Sequence, residues 1–386
     1  MAATPEKKKN DWLESWHVAP ANTQSYDFLD GIRGIAILLV LACHLLYVNP
    51  TASNPVLFVF GIFGAGTFGV TIFFALSGFL ISLPFWKKKI QNSLPNLSRY
   101  AQRRFWKIAP PLILSVLVLT PLYIYFYGNK DVYLKAAIEW LTGKALVFPV
   151  SGRLNPVMWS LIVETHFYIL LPLLFLLLKR LGYKSCLFIL PLGFFIIPTL
   201  ARYIYLAYGV EFSLHPVIRV NFPSKLDAFS VGILVAGLHV RNAIPASVAR
   251  FAPLGFLGIA LALVWTSWNA LHPLHPKWSL EINNLIILVS SGLLLSFIRN
   301  PVAAGKWFLA NPMLRWFGLL SYEWYLFHQP LFYWTRSIVG EADGNPALYA
   351  VRVLVPLLLS LAIAALVYRF FSLPILRATR GAKADS

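Results

Sequence analysis

The sequence predicts an all-α, polytopic integral membrane protein with about ten transmembrane helices around a central cavity. Three observations carry that expectation. Of 386 residues, 58% are hydrophobic and 12% are charged, about half the charged share of a soluble domain. Apolar stretches of roughly 20 residues recur along the chain, each long enough to cross a bilayer as a helix. Lys and Arg collect on alternate connections, as the positive-inside rule requires.

Hydropathy places the spans near 31–50, 56–82, 106–127, 156–178, 185–208, 224–240, 251–270, 281–298, 313–338 and 347–372. The first 25 or so residues are polar and carry no apolar core or cleavage site, so no signal peptide is expected and the first span serves as the insertion signal. With the N-terminus in the cytoplasm, 22 of the 33 Lys and Arg fall on cytoplasmic segments. Ten spans return the C-terminus to the same side. The expected organisation is a cytoplasmic tail (1–27), one membrane domain (28–373) and a second cytoplasmic tail (374–386). The stretch 128–155 is expected outside, with an interfacial or re-entrant helix.

The net charge of +18 invites a nucleic-acid reading, but the charges lie where topology demands them. Cys43 and Cys186 both sit in apolar stretches and form neither a disulfide framework nor a zinc motif. Residues 64–69 read GAGTFG. A dinucleotide fold would need a preceding strand and an acidic residue about 20 positions on; close helix packing explains the glycines better. His272 and His275 are separated by prolines that forbid an aligning helix, so no metal site is expected.

Ionisable groups inside spans cost about 2.5–3.5 kcal/mol each on insertion scales and tend to mark function. The candidates are Arg33, His44, Glu164, His166, Asp227, Glu323 and His328. Arg33 and His44 are eleven residues apart, about three helical turns, hence on one face and roughly 16 Å apart along the axis. Arg33 lies near the cytoplasmic end and His44 deeper. A cation at a mouth and an imidazole far inside suit a donor with an anionic head and a long arm, as coenzyme A has. Against this stand snorkelling of Arg33 to headgroups and a packing hydrogen bond for His44. Glu164, on a span running inward, is expected at His44's depth, where a carboxylate would orient the imidazole; a structural ion pair is its rival reading. His328 is expected to wall the same cavity or to pack between helices. Glu323 carries no assignment, and His166 faces away from Glu164.

Several blocks resemble one family, the membrane-bound acyltransferase family 3, which includes bacterial polysaccharide O-acetylases. FLDGIRGIAILLVLACH (28–44) resembles its opening motif, with Arg33 and His44 in place. GVTIFFALSGFLIS (69–82), RRFWKIAPPL (103–112), WSLIVETHFYILLPLL (159–174), KLDAFSVGILVAG (225–237) and SYEWYLFHQPLF (321–332) are similar to further blocks in family order. Thr71 stands where the family usually has Asp, and Lys107 and Lys225 where it often has Arg. Lys cannot make the planar bidentate contact to phosphate, so donor binding is expected more from Arg103 and Arg104. The hydrolase-like domain that some relatives append is not expected.

The resemblance implies an O-acyltransferase of the bacterial inner membrane. It would move an acyl group, expected to be acetyl, from cytoplasmic acyl-CoA to a hydroxyl of a glycan or glycoconjugate, with acyl-CoA as substrate and no bound cofactor or metal. His44 would be general base or transient acyl carrier and Glu164 its orienter. Arg33, Arg103, Arg104 and Lys107 would hold the donor. Ser77, Trp159, Ser160, Asp227 and His328 would line the cavity. The partners are the donor, the acceptor glycan and the bilayer, and no nucleic acid. A secondary transporter or glycan translocator is the rival class, although no internal repeat is evident. A non-catalytic scaffold would tolerate neutral substitution of every intramembrane charge.

Overall fold

The computed structural model describes residues 12–18, 27–46, 67–147, 154–207, 225–271, 276–299, 305–340 and 346–381. The glycines at 64 and 66 and the two histidines of the HPLHP stretch lie outside them. Among the described residues the chain is helical and no strand is present. The principal helices are α1 (Asp27–Leu46), α2 (Thr67–Ile90), α3 (Leu97–Tyr127), α4 (Lys130–Leu141), α5 (Trp159–Leu177) and α6 (Tyr183–Ala207). They continue with α7 (Asp227–Val240), α8 (Leu254–Leu271), α9 (Pro276–Ser296), α10 (Pro312–Val339), α11 (Pro346–Val367) and α12 (Leu373–Gly381). A π-helical turn, Tyr368–Ser372, joins α11 to α12.

A described helix overlies each of the ten expected spans. Six apolar segments are long enough to cross a membrane, and three shorter apolar helices lie at 227–240, 254–265 and 285–296. The protein is thus a multi-pass membrane protein; the count of ten crossings remains an expectation. In the stretch expected outside, α4 is an amphipathic helix that buries Ala136, Ala137 and Trp140.

Close helix pairs fix the architecture. A Cβ on Gly318 of α10 would stand 1.9 Å from the carbonyl oxygen of Asp30, and one on Gly34 of α1 would stand 2.1 Å from that of Leu314. Only glycine permits this approach, the membrane device of small residues at a crossing. Arg315 pairs with Asp27 at 3.1 Å near one end of these helices, and His328 meets His44 near the other. The two helices therefore run parallel. So do α2 and α7: Phe74 stacks on Phe229, while Trp86 donates to Ile233 O at 3.0 Å. Lys89, at the end of α2, donates to Leu178 O and Lys179 O just past α5, satisfying orphan carbonyls there. First with ninth, second with sixth and second with fourth are each the same parity, as a strictly alternating chain requires.

Behind the cavity, Phe229 lies between Phe74 and Phe167, with centroids at 4.8 and 4.0 Å. This stack ties α2, α7 and α5 together. The N-terminal turn Trp12–Trp16 is not free of the membrane domain. Trp16 stacks on Tyr368 and meets Trp316 edge-on, and Tyr368 donates to Trp16 O at 2.9 Å. Cys43 is half-buried and Cys186 buried, and no disulfide joins them.

Candidate active site

A cavity of about 90 Å³ lies between α1, α2, α3, α5 and α10. It is smaller than the roughly 300–1,000 Å³ of a pocket for a drug-sized ligand. It suits the narrow end of a molecule rather than a whole nucleotide. Its polar groups fall into successive levels along α10.

At the level of Ser321 and Tyr322, three cations face the cavity: Arg33, Arg104 and Lys107. Arg33 donates to Ser321 Oγ at 3.2 Å, and Tyr322 OH donates to Ile108 O at 2.9 Å, tying α10 to α3. The Arg104 guanidinium lies over the rings of Tyr100 and Tyr168, 5.9 and 5.7 Å from their centroids. Arg103 is exposed and does not line the cavity. Lys107 rather than Arg103 faces the cavity, because the helical face that carries Arg104 inward carries Lys107 and Ile108 with it.

Glu164 faces these cations. Its Oε1 accepts from Ser77 Oγ and from Tyr168 OH, both at 2.5 Å. No hydrogen bond joins Glu164 to His44 among the described residues. The expected equality of depth fails for a local reason. Pro330 lacks an N–H, which leaves Leu326 O, four residues earlier, without its helical partner. Asn155 Nδ2 donates to that oxygen at 2.8 Å, and Asn155 itself is buried. The approach to α5 is thereby sunk to the level of His328, and Glu164 lies correspondingly deeper, about 10 Å below the two histidines.

One turn up α10 from Ser321, Tyr325 OH donates to Val157 O at 2.7 Å and accepts from Ser160 Oγ at 2.8 Å. Ser160 and Tyr325 line the cavity, as does Ser77. Trp159 does not; it packs edge-on against Phe74. Nor does Asp227, whose carboxylate pairs with Arg202 at 2.7 Å in a wholly buried ion pair and also caps Ala228 N. Arg202 is the residue the sequence reading missed. A single Arg inside an otherwise apolar span was the available signal.

Beyond Tyr325 stand the imidazoles of His44 and His328; neither lines the cavity, so the lining role expected of His328 is not met, because it sits one turn past the last α10 residue that does. His44 is half-buried and His328 is 0% exposed, with ring centroids 5.1 Å apart. Each lies ten residues past the glycine where its helix crosses the other, about 15 Å along each axis. His328 Nδ1 is 2.8 Å from Tyr325 O and 3.1 Å from Trp324 O. Carbonyl oxygens only accept, so Nδ1 carries the hydrogen and Nε2 the lone pair. Glu323 is buried on the same helix but does not line the cavity. No group of three or more metal-ligating side chains exists among the described residues.

The helical membrane domain thus holds a cation-lined cavity and, past Tyr325, two facing histidines that do not line it. The acyltransferase-domain family, acyltransferase 3, matches residues 26–369, and the chain belongs to it. Among curated proteins it is similar to the peptidoglycan O-acetyltransferase OatA of Listeria monocytogenes, at 25% identity over 90% of this chain and 55% of that protein. It is 23% identical to the O-acetyltransferase OatA of Staphylococcus aureus strain NCTC 8325, over 90% of this chain and 56% of the relative. The chain thus spans little more than half the length of these relatives. No solved structure matches.

Proposed function

We propose that this protein transfers an acetyl group from acyl-CoA, presented on the cytoplasmic side of the bacterial inner membrane, to a hydroxyl of a surface glycan. The observation that carries the reading is the order of groups along one helix pair. Three cations sit at one level, and two facing imidazoles sit beyond them.

Coenzyme A supplies what that order requires. Its phosphates would rest at Arg33, Arg104 and Lys107, where charge-assisted bonds are strongest. The pantetheine arm would carry the thioester through the narrow cavity towards His44. One of the two facing imidazoles takes the proton of the acceptor hydroxyl, whose oxygen attacks the thioester carbonyl. Collapse of the tetrahedral intermediate expels the thiolate, which recovers the proton. Positioned imidazole catalysis of this kind contributes about 10²–10⁴-fold. Ser77, Glu164 and Tyr168 form a bonded polar wall beside the entering arm. A peptidoglycan-type acceptor is favoured by the names of the relatives, and both termini are cytoplasmic in this reading.

The test is thiol release from acetyl-CoA by the purified protein in detergent, where no gradient exists. Release that depends on the protein supports the enzyme. A glycan translocator, which shares the buried charges, would consume no thioester, and that result would refute the proposal.

A further inference from the structure

Resting on that acyl-transfer reading, we propose that His328 is a catalytic residue: the fixed general base that takes the acceptor's proton at Nε2. Four observations point to it. First, both backbone contacts of His328 fall on Nδ1, so the tautomer is set and Nε2 is left as the acceptor. Second, Nε2 is buried and has no hydrogen-bond partner among the described residues. An unsatisfied buried acceptor costs about 1–3 kcal/mol, and such an atom calls for an explanation. Third, its ring faces His44 at 5.1 Å, and the Tyr325 ring, which lines the cavity, lies 5.7 Å from it. Fourth, it continues the α10 face of Ser321 and Tyr325, which line the cavity.

The two histidines differ in a way that divides the labour. The His328 ring is tied to its own helix backbone through Nδ1. The His44 ring has no hydrogen bond among the described contacts. A base needs a fixed tautomer and a fixed lone pair. In the step, the acceptor O–H proton passes to His328 Nε2 as the oxygen forms its bond to the thioester carbonyl carbon. The carbon–sulfur bond then breaks. The proton on Nε2 goes to the departing sulfur, so the ester and the free thiol leave with the enzyme unchanged. Water can replace the glycan in the same step, which makes thioester hydrolysis a usable readout.

The test is His328→Asn. The asparagine amide nitrogen stands where Nδ1 stood and keeps a donor for Tyr325 O, while Nε2 is removed. The purified full chain in detergent is given acetyl-CoA, with water or soluble peptidoglycan fragments as acceptor. Thiol release and acetyl-CoA binding are measured separately. The expected result is a fall in turnover of about 10²-fold or more, acetyl-CoA affinity within about threefold of the parent, and partial rescue by added imidazole. His328→Gln, which puts a non-basic amide near the Nε2 position, should fail in the same way. Turnover of either variant within threefold of the parent overturns the proposal. So does a loss of acetyl-CoA affinity matching the loss of turnover, because a packing role alone produces that. A parent protein that releases no thiol from acetyl-CoA refutes the acyl-transfer reading itself, a result distinct from either.

Discussion

The Gly34–Gly318 crossing gives the sharpest link between packing and chemistry. Replacing Gly318 by Ala puts a methyl carbon 1.9 Å from Asp30 O. Carbon and carbonyl oxygen come no closer than about 3.3 Å in ordinary contacts, so the helices must part by about 1.4 Å. The obstacle is backbone on a packed helix and cannot rotate away. Overpacking of this kind costs about 1–3 kcal/mol of stability. The effect on activity should be larger. Both imidazoles and the Arg33–Ser321 contact depend on this crossing, and a misplacement of about 1 Å costs about 10²-fold in rate. The assay pairs thiol release from acetyl-CoA with thermal unfolding in detergent. Gly193→Ala is the control, since a Cβ there has nothing within 4 Å. It should leave turnover unchanged and stabilise α6 by up to about 1 kcal/mol. Parental turnover in Gly318→Ala would refute the argument that this crossing sets the site.

The cation level should sort cleanly. Lys107→Ala and Arg33→Ala should each weaken acetyl-CoA binding by about 10–100-fold, the worth of one charge-assisted bond. Arg103→Ala should change donor binding less than twofold; equal effects at 103 and 107, read by calorimetric titration, would contradict the cavity assignment. Removing one partner of the buried Arg202–Asp227 pair should destabilise by about 3–5 kcal/mol. The double variant Arg202→Met with Asp227→Leu should recover most of that, as read by unfolding temperature; no recovery would count against a purely structural pair.

Much of this arrangement is legible in the sequence, and the rest is not, for physical reasons. Helical periodicity places Arg33 and His44 on one face, and hydropathy locates the helices, because both depend on neighbours within one segment. Periodicity does not say which helix meets which. That His328 rather than Glu164 meets His44 depends on α1 and α10 running parallel through a glycine crossing. Glu164's depth depends on a carbonyl that Pro330 freed and Asn155 claimed, two residues 175 positions apart. The partnership of Asp227 with Arg202 shows the same limit: each charge is visible alone, and the pairing is a property of the packed bundle. Lys107 faces the cavity because of the phase of α3, which a motif comparison weighted towards Arg does not register.

The central claim, acyl transfer to a surface glycan through the His44 end of the path, is tested most directly on the product. Surface glycans from cells carrying the parent protein, His44→Ala or neither are compared by mass spectrometry, with membrane levels of the two proteins matched. The account predicts acetyl esters on the glycan with the parent alone. Equal acetylation in the His44→Ala cells, or none in the parent cells beyond those lacking the protein, would contradict it.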